Sequence, residues 1–185
     1  TAEGSFNIKI NPYNLPKNAH FLIEPDLSAA SYFFALTVLH GGSLAIKNIP
    51  TKPIQGDAAF AELLKSHALQ INPQKDQWEI QRTFDDPIEK AVADFDFNLF
   101  SDTFLTYTAI APLLNGETTI RGIKHTRLQE TDRVSAMATE LKKLGQTVIE
   151  NEDSLKITSD RNALIEKAKE ARAKGKTLEI ETYED

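Results

Sequence analysis

Four polar residues cluster where an amphipathic helix is predicted to begin: Arg127, Gln129, Glu130 and Arg133. After them, apolar residues recur at helical spacing until a glycine ends the pattern. The free N–H groups of a helix N-terminus and the positive end of its dipole favour an anion. Glu130 and Arg133 are three residues apart, so the first helical turn would place them on one side. The pattern therefore predicts an anion-binding site.

The same stretch also has a purely structural interpretation. The helix is predicted to begin near Thr131, and either Thr131 or Asp132 would then be an ordinary N-cap. Glu130 and Arg133 would form a solvated surface pair worth about a few tenths of a kcal/mol. Spacing alone leaves both interpretations open, because short motifs also occur by chance.

Asp102 offers a second carboxylate, at the start of a predicted helix over residues 101–114. Taken alone, such a residue is most simply a helix N-terminal carboxylate stabilised by the dipole. His20, His40 and His67 have no partners at metal-ligand spacing, so we interpret them as incidental and expect no metal site.

Two consecutive stretches of the chain share one order of predicted elements. The order is βαβαββ over residues 23–82 and again over residues 93–158, with one apolar and one amphipathic helix in each. Gly42, which ends the first apolar helix, aligns with Gly116 after the second. The pattern predicts an α/β (α+β) fold of repeated βαβαββ units. We expect one mixed sheet per unit, with parallel strands joined by helical crossovers.

The first apolar helix, which ends at Gly41, carries large side chains on nearly all sides, a pattern typical of burial on most sides. We expect its core to include Tyr32, Phe33, Phe34, Leu36, Val38 and Leu39. Short strands are also predicted over residues 6–10, 20–23 and 177–182, and a surface helix over residues 162–174.

Composition limits the classes of function. The chain has 185 residues, 41% hydrophobic and 26% charged, with a net charge of -6 and no cysteine. These values exclude a disordered chain, a disulfide framework and a thiolate metal site, and no apolar run approaches the roughly 20 residues of a membrane span. The negative charge argues against nucleic acid. We therefore expect neither nucleic-acid nor membrane partners. The lack of cysteine is compatible with a reducing cytoplasm, and we expect a cytoplasmic protein and a monomer.

Four segments resemble motifs of the 5-enolpyruvylshikimate-3-phosphate (EPSP) synthase family. Residues 129–133 (QETDR) and the helix after them resemble the family signature, although the family usually has Lys in place of Gln129. The other matches are residues 24–35 (EPDLSAASYFFA), 54–64 (IQGDAAFAELL) and 181–185 (ETYED). They occur in the family's order and extend over most of the chain.

The resemblance implies an enolpyruvyl transferase-like lobe, of the inside-out α/β barrel type. In this family each of two lobes contains three βαβαββ units around buried helices. We therefore expect residues 23–185 to be most of the second lobe, with a third unit begun at residues 177–185. Residues 1–22 would be the tail of the other lobe and the hinge. The missing first lobe would be a partner, and this chain alone would be inactive.

The resemblance also implies a reaction. The family transfers the enolpyruvyl group of phosphoenolpyruvate to the 5-hydroxyl of shikimate 3-phosphate, in the shikimate pathway of aromatic amino-acid biosynthesis. It uses no metal and no organic cofactor. The reaction needs a base for the hydroxyl proton, an acid for the methylene carbon, and cations around two phosphates and a carboxylate.

Five residues match functional positions of the family. Asp102 matches the base and Glu130 the proton donor. Arg133 matches the residue that grips the phosphoenolpyruvate carboxylate, a task suited to the two-pronged guanidinium group. Gln129 and His125 occupy positions that contact shikimate 3-phosphate, where Lys and Asn are common.

Two other functions stay open. The related enolpyruvyl transferase that acts on UDP-N-acetylglucosamine shares the repeats but lacks the QETDR motif, and many members use a cysteine acid, which this chain does not have. The chain could also be a non-catalytic interaction domain of the same fold, with Glu130 and Arg133 as mere surface residues.

Overall fold

The structure is a computed structural model that describes most of the chain: residues 7–9, 18–20, 23–83, 91–114 and 116–184. The strands predicted over residues 6–10 and 20–23 lie only partly within these ranges, and their described residues, 7–9, 20 and 23, are not in strand structure.

The first unit is a three-stranded sheet with two helices. Helix α1 spans Leu27–His40, and helix α2 spans Ala58–Leu64. The strands are β1 (Gly42–Lys47), β2 (Gln70–Pro73) and β3 (Gln77–Arg82). Strand β3 lies in the middle and is antiparallel to both neighbours, which gives the order β1-β3-β2. The parallel pair predicted for this unit requires the strand at residues 20–23 and stays untested.

The second unit is a four-stranded mixed sheet with two helices, as predicted. In chain order its elements are β4 (Ala91–Asp96), α3 (Thr103–Ile110), β5 (Gly116–Arg121), α4 (Arg133–Lys143), β6 (Thr147–Glu150) and β7 (Ser154–Ser159). Strands β4 and β5 are parallel and joined through α3, and the other pairs are antiparallel. The sheet order β4-β5-β7-β6 contains the order of the first unit, with β5, β7 and β6 in place of β1, β3 and β2. The predicted surface helix is α5 (Arg161–Ala173), which has no buried residue.

The two units share one hydrophobic core, because α1 packs against both α2 and α3. Its largest fully buried side chains come from both units: Phe34, Phe60, Phe97, Phe104, Tyr107 and Ile120. A buried hydrogen bond of 2.7 Å between the hydroxyls of Ser31 on α1 and Thr106 on α3 also joins the two apolar helices. The N-terminal ends of α1 and α3 are therefore held in a fixed relation.

The core prediction for α1 is half correct. Phe34 and Val38 are buried, and Leu39 packs partly buried against the core. The prediction is wrong for Tyr32, Phe33 and Leu36, which are exposed. The sequence pattern indicates how apolar the helix is, but the described chain covers only one of its sides.

The strand predicted over residues 177–182 does not form. Strand structure requires a neighbour that accepts and donates backbone hydrogen bonds, and no strand within the described ranges pairs with this segment. The segment instead runs unpaired along α4.

Buried His67 predicts a pH-dependent stability. Its Nε2 atom hydrogen bonds to the Tyr107 hydroxyl at 2.9 Å, so this residue is a core group rather than an incidental one. Burial and, secondarily, the charge of Arg82 lower the pKa of His67 from 6.5 to about 4. The folded chain therefore binds fewer protons than the unfolded chain between these values, and stability falls as the pH drops below 6.5. We expect a loss of about 2 kcal/mol between pH 7 and pH 5.

Urea unfolding of the chain and of the His67→Gln variant at both pH values tests this expectation. The variant should lose most of the pH dependence, because glutamine does not titrate. An equal pH dependence in both proteins would contradict the assignment to His67.

Candidate active site

Asp102 stands at the start of α3, where the chain turns out of β4. The turn is held by two backbone hydrogen bonds, from Phe97 N to Arg121 O at 2.9 Å and from Phe100 N to Phe97 O at 3.1 Å. Asp102 occupies the N-cap position of α3 but makes no capping hydrogen bond with its side chain. Its carboxylate is therefore not used as an ordinary helix cap.

Helix α4 begins at Arg133, two residues later than predicted, because Asp132 is its N-cap. The Asp132 carboxylate accepts a hydrogen bond of 3.0 Å from Ser135 N. Arg127 donates to this same carboxylate at 2.8 Å and to Glu150 at 2.9 Å. The helix N-terminus and Arg127 thus stabilise the loop's own structure, and their part in an anion site stays a prediction.

Arg133 is the residue that joins the two predicted catalytic carboxylates. Its Nη1 atom donates to Asp102 Oδ1 at 3.1 Å, and its Nη2 atom donates to Glu130 Oε2 at 3.1 Å. Nη1 also donates to Gln129 Oε1 at 2.8 Å. Both carboxylates therefore lie well within the distance of about 15 Å that one substrate could bridge. The structure brings Asp102, Glu130 and Arg133 together. Repeated units of one topology predict this, because the repeat register sends both helix N-termini to the same edge of their sheets.

The guanidinium and the carboxylates differ in exposure. The side chain of Arg133 is 13% exposed, whereas those of Asp102 and Glu130 are 55% and 65% exposed. Surface ion pairs of this kind contribute at most about 1 kcal/mol to stability. Fold stability alone therefore gives little reason for the arrangement.

His125 lies beside the start of α3. Its Nε2 atom is 3.0 Å from the hydroxyl of Ser101, the residue before Asp102. This contact and the one between Arg133 and Asp102 both tie the loop before α4 to the start of α3. Sequence reasoning did not single out Ser101, although its position beside Asp102 was a usable signal.

The site opens into a cavity of about 500 Å³ between α1, α3 and α4. Asp102 and Arg133 belong to its lining, whereas Leu105, Met137 and Leu141 make much of the remainder apolar. An ionic group next to an apolar wall experiences a lower effective dielectric than in water, which strengthens its electrostatic interactions.

A further carboxylate, Asp57, lies close to Asp102. Ser28 Oγ donates to Asp57 Oδ2 at 2.9 Å. Burial raises the pKa of Asp57, and the charges of Asp102 and Asp26 raise it further, against the effect of the Ser28 hydrogen bond. The proximity of Asp57 makes the local field at the site more negative than the motif alone indicates.

Across the described ranges, no three His, Asp or Glu side chains are grouped so that they could hold a metal ion. No helix found there is both long and apolar enough to cross a bilayer.

A family profile and the curated relatives of this chain point to the same protein family. The sequence profile of EPSP synthase (3-phosphoshikimate 1-carboxyvinyltransferase) matches residues 1–185. A 3-phosphoshikimate 1-carboxyvinyltransferase of Opitutus terrae is 41% identical over 155 residues, which are 83% of this chain and 32% of the relative. The chain thus spans about a third of the length of the curated relatives it matches.

Solved structures agree on the fold. An EPSP synthase from Acinetobacter baumannii superposes with a TM-score of 0.58 at 20% identity, over 75% of this chain and 33% of that one. The enolpyruvyl transferase NikO from Streptomyces tendae gives a TM-score of 0.50 at 18% identity, over 74% and 31%. These likenesses confirm the predicted enolpyruvyl transferase fold. The profile match over the whole chain shows that the chain belongs to the EPSP synthase family.

Proposed function

We propose that the chain is part of a longer EPSP synthase, hereafter the parent protein. The parent transfers the enolpyruvyl group of phosphoenolpyruvate to the 5-hydroxyl of shikimate 3-phosphate and releases phosphate. The observation that carries this proposal is the position of Arg133, which lines the cavity together with Asp102 and whose guanidinium donates hydrogen bonds to both Asp102 and Glu130.

The reaction needs two proton transfers in its addition step. Asp102 takes the proton of the 5-hydroxyl, and the oxygen forms a bond to C2 of phosphoenolpyruvate. Glu130, in its protonated form, gives a proton to the methylene carbon. In the elimination step the C2–O bond to phosphate breaks, phosphate leaves, and the new methyl group gives a proton back to the Glu130 carboxylate, which restores the double bond. The two carboxylates come from different elements, so they can act on opposite ends of the reacting bond.

Arg133 binds the carboxylate of phosphoenolpyruvate. Its donors are engaged by Asp102, Glu130 and Gln129 in the structure. A substrate carboxylate that accepts two parallel hydrogen bonds from the guanidinium competes with these partners and frees the catalytic carboxylates for proton transfer.

Gln129 and His125 contact shikimate 3-phosphate in this proposal. Gln129 is neutral where the family often has Lys, so it binds by hydrogen bonds rather than by charge. His125 is already held near Asp102 through Ser101, which supports a place beside the acceptor hydroxyl.

The remaining parts of the proposal concern the parent. Residues 23–185 belong to its second lobe, with repeated units over residues 23–82 and 93–158, and residues 1–22 belong to the tail of the other lobe and the hinge. The first lobe supplies further cations for the two phosphates. The parent acts as a cytoplasmic monomer in chorismate and aromatic amino-acid biosynthesis, with no metal or organic cofactor.

Phosphate release by the purified parent tests the reaction. We expect turnover with phosphoenolpyruvate and shikimate 3-phosphate, and none when UDP-N-acetylglucosamine replaces shikimate 3-phosphate. Turnover only with the nucleotide sugar would overturn the choice of acceptor. No turnover with either acceptor would favour a non-catalytic domain of the same fold.

A further inference from the structure

Glu140 is a buried carboxylate that the proposed reaction does not use. It lies on α4, and its side chain is 7% exposed. Its oxygens accept hydrogen bonds from the Tyr183 hydroxyl at 2.6 Å, from Lys143 Nζ at 2.7 Å and from Glu181 N at 3.3 Å. A carboxylate is costly to bury unless it is paired and hydrogen-bonded, and these three donors meet that requirement.

The charge state of this contact is well defined. Burial acts to raise the pKa of Glu140, but the hydrogen bonds from Lys143, Tyr183 and Glu181 prevail and bring it below its usual range. The hydrogen bond to Glu140 is the largest cause of the raised pKa of Tyr183. Near neutral pH, the ionised Glu140 carboxylate therefore accepts a hydrogen bond from the protonated hydroxyl of Tyr183.

The segment that Glu140 holds has no regular secondary structure. We call residues 180–183 the C-terminal wall, because all four residues line the same cavity as Asp102 and Arg133. Tyr183 and its neighbour Glu184 have φ angles of 59° and 61°, a left-handed conformation that bulky residues rarely adopt. Two contacts from this short segment, one backbone and one side chain, end on Glu140. The shape of the wall is therefore imposed by its contacts rather than by local preference.

Helix α4 links this wall to the reacting groups. Arg133 and Glu140 are seven residues apart, which is about two helical turns, so both face the same cavity. Arg133 lies at the start of that face, and Glu140, two turns further along, binds the C-terminal wall.

We propose that Glu140 is a positioning residue that fixes the C-terminal wall against α4 and thereby keeps water away from Arg133. This inference rests on the proposed function of Arg133. An ion pair between a guanidinium and a substrate carboxylate is weakened when water enters, because the effective dielectric rises. Loss of the wall should therefore weaken phosphoenolpyruvate binding, although Glu140 lies about two helical turns from Arg133.

The test uses two variants of the parent, Glu140→Gln and Tyr183→Phe. The first keeps the side-chain shape but removes the charge, and the second removes only the hydroxyl donor. Glu166→Gln is the matched control, because Glu166 has the same i,i+3 lysine pair, at 2.7 Å with Lys169, on the exposed face of α5. Tyr183→Phe keeps the test decisive if Glu140→Gln fails to fold.

Two measurements are made on each variant. Amide hydrogen exchange of residues 180–183 should become at least about tenfold faster in both variants, with the exchange of β5 and β7 unchanged. The KM for phosphoenolpyruvate should rise about tenfold, with kcat and the KM for shikimate 3-phosphate changed by less than about threefold. The control should match the unmodified parent in both measurements.

Unchanged exchange of the C-terminal wall would overturn the proposal, and so would faster exchange with an unchanged KM for phosphoenolpyruvate. If the unmodified parent releases no phosphate at all, the proposed function fails instead. The exchange data then decide by themselves whether Glu140 holds the wall.

Discussion

Replacement of Asp102 by asparagine in the parent protein should lower kcat by about a hundred- to ten-thousand-fold, with little change in either KM. Asparagine keeps the size of the side chain and can still accept a hydrogen bond from Arg133, which lies 3.1 Å from Asp102 Oδ1. It cannot take the proton of the 5-hydroxyl. General base catalysis by a positioned side chain typically contributes about this factor. Steady-state kinetics with both substrates measures the loss.

Asp94→Asn is the matched control for this experiment. Asp94 is an exposed carboxylate on β4 that accepts a hydrogen bond from an arginine, Arg121, at 2.7 Å. It therefore resembles Asp102 in its partner but does not line the cavity. We expect the control to keep kcat within about twofold. A similar kcat for Asp102→Asn and the unmodified parent would remove Asp102 from the role of base.

The chain of 185 residues, purified by itself, should fold but show no measurable transferase activity. Folding is expected because α1 and α3 pack together in one core that draws on both units. Activity is not expected because the site is short of positive charge. Arg133 faces Asp102 and Glu130, with Asp57 nearby, and the net charge of the chain is -6. Two anionic substrates would meet a repulsive field.

Other cations close to the site are already engaged in the described part of the chain. Arg127 pairs with Asp132 and Glu150, and Lys143 pairs with Glu140. Phosphate release should be measured side by side for the chain and the parent, with circular dichroism to establish that the chain is folded. Turnover by the chain within about tenfold of the parent rate would show that no further cations are needed.

Periodicity and repeats predicted most of the fold. The alternation and helical spacing located all four helices of the two units, and the aligned glycines indicated that the two units would share one topology. The sheets bear this out, since β5-β7-β6 repeats the order β1-β3-β2. Local patterns suffice here because each element is specified by its own residues.

What a pattern cannot reveal is which side of an apolar helix has a neighbour. Tyr32, Phe33 and Leu36 were predicted to be buried and are exposed. Burial of a helix side depends on which other segments pack against it, and the helix's own sequence does not contain that information. The segment over residues 177–182 was predicted as a strand on the same kind of local evidence, and it fails for the same physical reason: its partner is not among the described strands.

The sequence predicted which residues come together in the candidate site better than it predicted the contacts they make. The repeat correctly placed Asp102 near Glu130 and Arg133, because both helix starts lie at the same edge. Sequence reasoning assigned Arg127 to an anion site, but its charge is used by Asp132 and Glu150. These competing carboxylates are 5 and 23 residues away in the chain, so no short motif contains them.

The most direct test of the account is the Arg133→Ala variant of the parent, since Arg133 is the residue that joins the two carboxylates. Loss of a bidentate contact to the phosphoenolpyruvate carboxylate should cost about 2 to 3 kcal/mol, which corresponds to a rise of about 30- to 150-fold in the KM for phosphoenolpyruvate. The KM for shikimate 3-phosphate should change by less than about threefold. Arg121→Ala is the control, because Arg121 also pairs with two carboxylates, Asp94 and Asp96, but on the exposed surface. Equal losses for both substrates, or an unchanged KM for phosphoenolpyruvate, would contradict the account.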